Sequence, residues 1–200
     1  MKLTKDELNF ASRYRDITEN QEYRQLRDLP RHGRATTFDH CVRVARSAER
    51  LAPRFGVDPE SAARVGLLHD FCIVNYYEHE DGDRHNGRWY CFYHPEEAVE
   101  NSERNGFHLS EKERAAILSH MFPLTGHPLN TKLGLLLTIT DKKVAAEEAF
   151  MSAGETLRDI QKLWQGKKKS VYQHSAETLR NHKRIPGAKQ LLDVLGRKSA

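Results

Sequence analysis

Ser61-Ala62-Ala63-Arg64-Val65-Gly66-Leu67-Leu68-His69-Asp70 is an apolar run that ends on an imidazole and a carboxylate side by side. Only Arg64 interrupts its small and apolar residues, so the run reads as a helix with little surface for water. Successive residues inside a regular helix diverge by about 100°. His69 and Asp70 therefore converge on one place most easily at the helix end, where a carboxylate is free to turn. The plainer reading is a histidine interacting with the helix dipole and an aspartate solvating the exit.

The punctuation on either side of this run is helical almost throughout. Thr4-x-x-Glu7 and Ser110-x-x-Glu113 read as capping boxes. Asp58-Pro59 and His94-Pro95 place proline where a first helical turn accepts it, and Gly56 and Gly106 follow apolar-periodic stretches as stops. Helices are expected near 4–14, 20–28, 37–55, 59–69, 95–105, 111–120, 131–151, 154–165 and 175–195, the last broken near Pro186-Gly187. No period-two alternation bounded by hairpin turns competes, so the fold class is all-α.

Two hundred residues bury roughly 70% of their unfolded surface without disulfides or a structural metal. Cys41, Cys72 and Cys91 are odd in number and wrongly spaced for a disulfide framework or a Cys-x-x-Cys site. The charged start, Met1 to Glu7, lacks the apolar core of a signal peptide, and no 18 apolar residues run together, so a soluble cytoplasmic protein without membrane contact is expected. The net charge of +4 conceals an asymmetry: residues 162–200 hold ten Lys/Arg against two Asp/Glu, which makes that tail +8 and the rest −4. Residues 1–161 are expected to form the helical domain, with its core at about 32–150, and 162–200 a basic helical extension. Lys167-Lys168-Lys169 is short and lacks interleaved aromatics, so nucleic acid is the minor reading.

Four further residues join His69 and Asp70 as metal-ligand candidates. His40 shares a helical row with Val44, Ser47 and Leu51, beside the face of Cys41, Ala45, Ala48 and Ala52, so it should look inward. Asp141 stands within a stripe of Gly134, Leu137, Thr138, Val144 and Ala145. A buried carboxylate there needs a cationic partner, either Lys/Arg or a metal. His94 begins one expected helix and His120 ends another, so both border a cleft. Each has a plainer role: a core histidine for His40, a buried ion pair for Asp141, a cap for His94, a dipole partner for His120. Imidazole with carboxylate suits iron, manganese, cobalt or zinc, and the lack of thiolate argues against structural zinc.

The order His40, His69-Asp70, His94, His120, Asp141, with the run Asp39-His40-Cys41-Val42-Arg43-Val44-Ala45, resembles the HD-domain superfamily of metal-dependent phosphohydrolases over about residues 32–150. It is most similar to small bacterial HD proteins. The resemblance implies an all-helical bundle in which His40, His69, Asp70 and Asp141 hold one metal ion. His94 and His120, with a bridging Asp70, would hold a second. The Gly-Tyr-Pro signature of the cyclic-dinucleotide phosphodiesterase branch is missing, Glu80-Asp81-Gly82-Asp83 being only superficially like it, and the chain is far shorter than the deoxynucleotide triphosphohydrolases.

Such a site is expected to hydrolyse a phosphate ester of a small metabolite or nucleotide with a metal-activated water, Asp70 being the residue closest to the chemistry. His32, Arg34 and Lys142 are the candidates for contacting substrate. The segment from Cys72 to Tyr93, with Tyr76, Tyr77, Trp89, Tyr90 and Phe92, reads as a long loop covering the cleft. Two alternatives use the same residues: a mixed-valent di-iron oxygenase, and a noncatalytic regulatory or binding module.

Overall fold

A computed structural model describes residues 2–31, 35–73, 84–85 and 88–181, and both expected capping boxes are present in it. Helix α1, Lys5–Ala11, starts with Glu7 N–H on Thr4 Oγ1 at 3.3 Å and Thr4 N–H on Glu7 Oε2 at 2.7 Å. Two short 3₁₀ segments, Ser12–Tyr14 and Tyr23–Arg27, flank a single turn, α2, Arg15–Thr18. The continuous helices expected at 4–14 and 20–28 are thus broken up. The tighter winding lines up residues three apart, and Tyr23 and Leu26, spaced in that way, are both fully buried.

Helix α3, Thr37–Phe55, opens on a capping box between Thr36 and Asp39 that the sequence reading missed. It closes at Gly56 with φ 63°, where Val57 N–H reaches back to Ala52 O at 3.1 Å. A left-handed turn of that kind favours glycine because it carries no Cβ. Helix α4, Pro59–Leu68, follows after the Asp58 cap.

Close approach of α3 and α4 rests on small residues. A Cβ at Gly66 would fall onto the Ala45 backbone, 2.8 Å from its N and 3.0 Å from its Cβ. Because backbone atoms cannot step aside like a flexible side chain, Gly66→Ala is expected to cost about 1–3 kcal/mol. Thermal unfolding checks this; an unchanged midpoint would show that the two helices tolerate separation.

A two-residue ribbon, β1 Arg84–His85 against β2 Arg88–Trp89, precedes helix α5, Tyr90–Arg104. Strands this short carry no periodic signal, and the architecture stays an all-α bundle. α5 starts five residues ahead of the expected 95. Pro95 is inside the helix, where its missing N–H gives up one bond near the start without ending it. Tyr90, Cys91, Phe92 and Tyr93 are accordingly helical and not part of a loop. Residues 74–83 and 86–87 of the expected loop, including Tyr76 and Tyr77, lie outside the described residues.

Helix α6, Glu111–Ser119, opens on the second capping box, with Ser110 N–H on Glu113 Oε2 at 2.9 Å. Helix α7, Lys132–Asn181, is continuous where separate helices at 131–151, 154–165 and 175–195 were expected. Gly154 and Gly166 do not stop it, since an interior glycine costs only about 1 kcal/mol relative to alanine. Residues 182–195 of the last expected helix lie outside the described residues.

The chain divides into two units, residues 1–152 and 153–200. In the first, Ile17, Leu26, Phe38, Val44, Leu67, Leu68, Phe71, Ile117, Leu136 and Leu137 form the core. In the second, Leu157 and Trp164 are exposed and Lys162 lies 3.9 Å from Asp159. Among the described residues no helix is long and apolar enough to cross a membrane.

Candidate metal centre

Five elements of the first unit deliver six side chains to one buried place. His40 comes from the first turn of α3, His69 ends α4 with Asp70 just beyond it, His94 comes from α5, His120 ends α6, and Asp141 lies in α7. All six are no more than 2% exposed. His94 is thus the fifth residue of a helix and not its beginning, as the sequence had suggested.

The two oxygens of Asp70 face different partners. On the Oδ2 side lie His69 Nε2 at 3.2 Å and His40 Nε2 at 3.8 Å, with Asp141 Oδ1 3.1 Å from His40 Nε2 and 3.8 Å from His69 Nε2. On the Oδ1 side lie His94 Nε2 at 3.3 Å and His120 Nε2 at 3.8 Å. The donors form one group from His40, His69 and Asp141 and another from Asp70, His94 and His120.

Each imidazole is oriented from behind through Nδ1. His69 Nδ1 is 2.9 Å from Gly66 O, His94 Nδ1 is 2.8 Å from Tyr90 O and His120 Nδ1 is 2.6 Å from Ile117 O. A carbonyl only accepts, so these three Nδ1 atoms each carry a proton, and Nε2 of each ring is turned to the centre. His94 Nε2 and His120 Nε2 are 3.0 Å apart. Two lone pairs that close repel unless a cation or proton stands between them. Tyr90 stacks on the His94 ring at 4.5 Å and 6° and fixes its plane.

Electrostatics and hydrogen bonding agree with this geometry. Burial would raise the Asp70 carboxyl, but the Arg31 guanidinium and His69 outweigh it and hold the group well below the usual carboxylate range. Burial likewise opposes ionisation of Asp141, which His40 and His69 hold well below that range. For His69, burial lowers the pKa while Asp70 and Asp141 raise it, to about 9. His120 is pushed down to about 3 by burial and then by His94 and His69. His69 Nε2 and both Asp70 oxygens are buried without a well-directed hydrogen bond. Nitrogen and carboxylate donors left in this condition fit divalent metal ions.

A pH optimum for the metal-free chain follows. His69 holds a proton that the unfolded chain gives up above about 6.5, so its contribution is complete below 6.5 and lost as pH rises through about 9. His120 behaves oppositely, since below about 6.5 the unfolded chain takes a proton that the folded chain refuses until about 3. Stability should therefore peak near pH 6.5, each proton setting a slope of about 1.4 kcal/mol per pH unit on its side. Unfolding midpoints of metal-free protein from pH 5 to 9 check this; a monotonic profile would contradict it.

Two neighbours were missed by sequence reasoning. Arg31 Nη1 contacts Asp70 Oδ2, and nothing periodic in its segment indicates where it points. Glu148, 2% exposed, receives His40 Nδ1 at 2.9 Å and Arg43 Nη1 at 2.7 Å. It follows Asp141 by seven residues on the same helical face, so the argument that found one buried carboxylate applied to both. Lys142 Nζ is half-exposed and 2.8 Å from Asp141 Oδ2. His32 and Arg34 lie outside the described residues. Cys41 Sγ comes within reach of His69 and Asp70 donors, but burial holds its thiol well above the ordinary value.

A family model described as HD domain matches residues 37–146. No curated protein and no solved structure matches the chain.

Proposed function

The chain belongs to the HD domain family, and from that premise we propose that it is a metal-dependent phosphohydrolase acting on a phosphate ester of a small metabolite, with a nucleotide as the first choice. The observation that carries this reading is Asp70, a buried carboxylate whose two oxygens face separate sets of imidazole nitrogens. Two divalent ions suit that arrangement, one among His40, His69, Asp70 and Asp141 and the other among Asp70, His94 and His120. Ions so held would bring a bound water's pKa toward neutrality and neutralise charge on a phosphoryl group.

The protein's own residues supply position and complementary charge. Five helices fix the donor atoms, and the contacts at Nδ1 turn every Nε2 inward before any ligand arrives. Arg31 is placed to meet a phosphate oxygen beside Asp70, and the half-exposed Lys142 lies on the Asp141 side. These are the cations we assign to substrate, beside the expected His32 and Arg34, which lie outside the described residues. Hydrolysis forms a bond from the water oxygen to phosphorus, breaks the ester P–O bond and passes a proton, supplied overall by that water, to the departing oxygen. The substrate pool fits a cytoplasmic enzyme.

Elemental analysis of chain purified anaerobically without a histidine tag, followed by a screen of nucleotides and other phosphomonoesters and phosphodiesters, tests the proposal. About two ions per chain and phosphate release are expected. Oxygen uptake without phosphate release would replace hydrolysis with di-iron oxygenase chemistry, and absence of bound metal would leave a binding module. Arg31→Gln should raise KM about 10- to 100-fold with a smaller change in kcat, as expected for one charge-assisted hydrogen bond of about 1.5–3 kcal/mol. An unchanged KM would remove Arg31 from the substrate site.

A further inference from the structure

His40 differs from the other three imidazoles in what holds it. His69, His94 and His120 place Nδ1 on backbone carbonyls, while His40 places it on the carboxylate of Glu148. That carboxylate is itself fixed, because Arg43 Nη1 holds its other oxygen at 2.7 Å and Arg43 Nε lies 3.4 Å from Glu7. The four groups form a ladder between two helices. His40 and Arg43, one turn apart on α3, face Asp141 and Glu148, two turns apart on α7. Glu148 is buried and Arg43 nearly so, which keeps water from competing for either oxygen.

A carboxylate behind an imidazole makes the opposite nitrogen more basic than a carbonyl does and locks the ring more firmly. The two donor groups should then differ in strength. We propose that Glu148, steadied by Arg43, is a positioning residue for His40 and makes the position formed by His40, His69, Asp70 and Asp141 the tighter of the two. This deepens the two-ion reading and rests on it. Loading becomes ordered, the His40 position filling first and the His94–His120 position filling as ion concentration rises.

Titration of the metal-free full-length chain with Mn2+, followed by the electron paramagnetic resonance of the free ion, tests the idea. Two binding steps are expected. His94→Ala should delete the weaker step and keep the tighter one. Glu148→Gln retains an acceptor for Nδ1–H without the charge, and Glu148→Leu retains neither. The tighter step should weaken about 10-fold in the first and approach 100-fold in the second, with the weaker step unmoved. A merely structural role would move both steps together or only the unfolding midpoint. Where the leucine variant does not fold, the glutamine variant decides. Two ions bound by the unmodified chain with affinities unaltered by Glu148→Gln would overturn the positioning role and leave the two-ion reading standing. No Mn2+ bound by the unmodified chain would overturn both.

Discussion

Asp70→Asn is expected to strip both ions from the protein and to lower phosphate release by at least about 10³-fold. The size follows from position. Among the described residues Asp70 is the carboxylate with an oxygen toward each donor group, so on the two-ion reading its loss weakens both ion positions at once, and losing several kcal/mol of charge stabilisation at a phosphoryl group gives a factor of this order. Asparagine matches the shape and keeps one oxygen, so the change in charge is isolated from a change in packing. The substitution also leaves the Arg31 guanidinium facing a neutral amide where it now contacts a carboxylate. Losing one partner of this largely buried ion pair should lower the stability of the metal-free chain by about 3–5 kcal/mol. Metal content, turnover and unfolding should therefore all respond. A variant that folds normally, holds two ions and turns over within tenfold of the parent would show that Asp70 is a structural aspartate.

The fold was legible because its signals are local. Capping boxes at Thr4 and Ser110, the proline after Asp58 and the left-handed stops at Gly56 and Gly106 are each set by a few neighbouring residues. Those signals weaken where tertiary packing outweighs them. Pro95 sits within α5 because one lost N–H near a helix start is tolerable, and α7 passes Gly154 for the same kind of reason. All six ligand candidates could be named from sequence, His40 and Asp141 beside apolar rows, His69 and Asp70 at the end of an apolar run, and His94 and His120 at expected helix ends, and the structure brings the six together. Glu148 breaks the same pattern, but two acidic residues side by side at 147 and 148 read as a solvated pair until burial separates them, Glu147 exposed and Glu148 not. Arg31 had no pattern to break. Its position depends on the path of the chain before α3, a long-range property absent from local spacing.

His120→Leu should make the metal-free chain more stable while removing the second ion and most of the turnover. In the present arrangement His94 and His120 oppose Nε2 atoms at 3.0 Å, with both Nδ1 protons committed to backbone carbonyls. His120 itself takes no proton at neutral pH, because burial and then the neighbouring histidines push it down to about 3. Leucine has similar bulk and no lone pair. It gives up the Nδ1–H bond to Ile117 O, worth about 0.5–1.5 kcal/mol, but it removes a buried nitrogen that faces His94 Nε2 at 3.0 Å, and an acceptor set against another acceptor forfeits about 1–3 kcal/mol. The balance favours leucine by on the order of 1 kcal/mol without metal. With metal the balance reverses, since only Asp70 and His94 would remain at that position, and turnover should fall by at least about 10²-fold. Unfolding of metal-free and metal-loaded protein, measured side by side, separates the two effects. A drop in stability under both conditions would mean that His120 is an ordinary core histidine. A gain without metal and a loss with it would mark the pair as strained in advance for a cation.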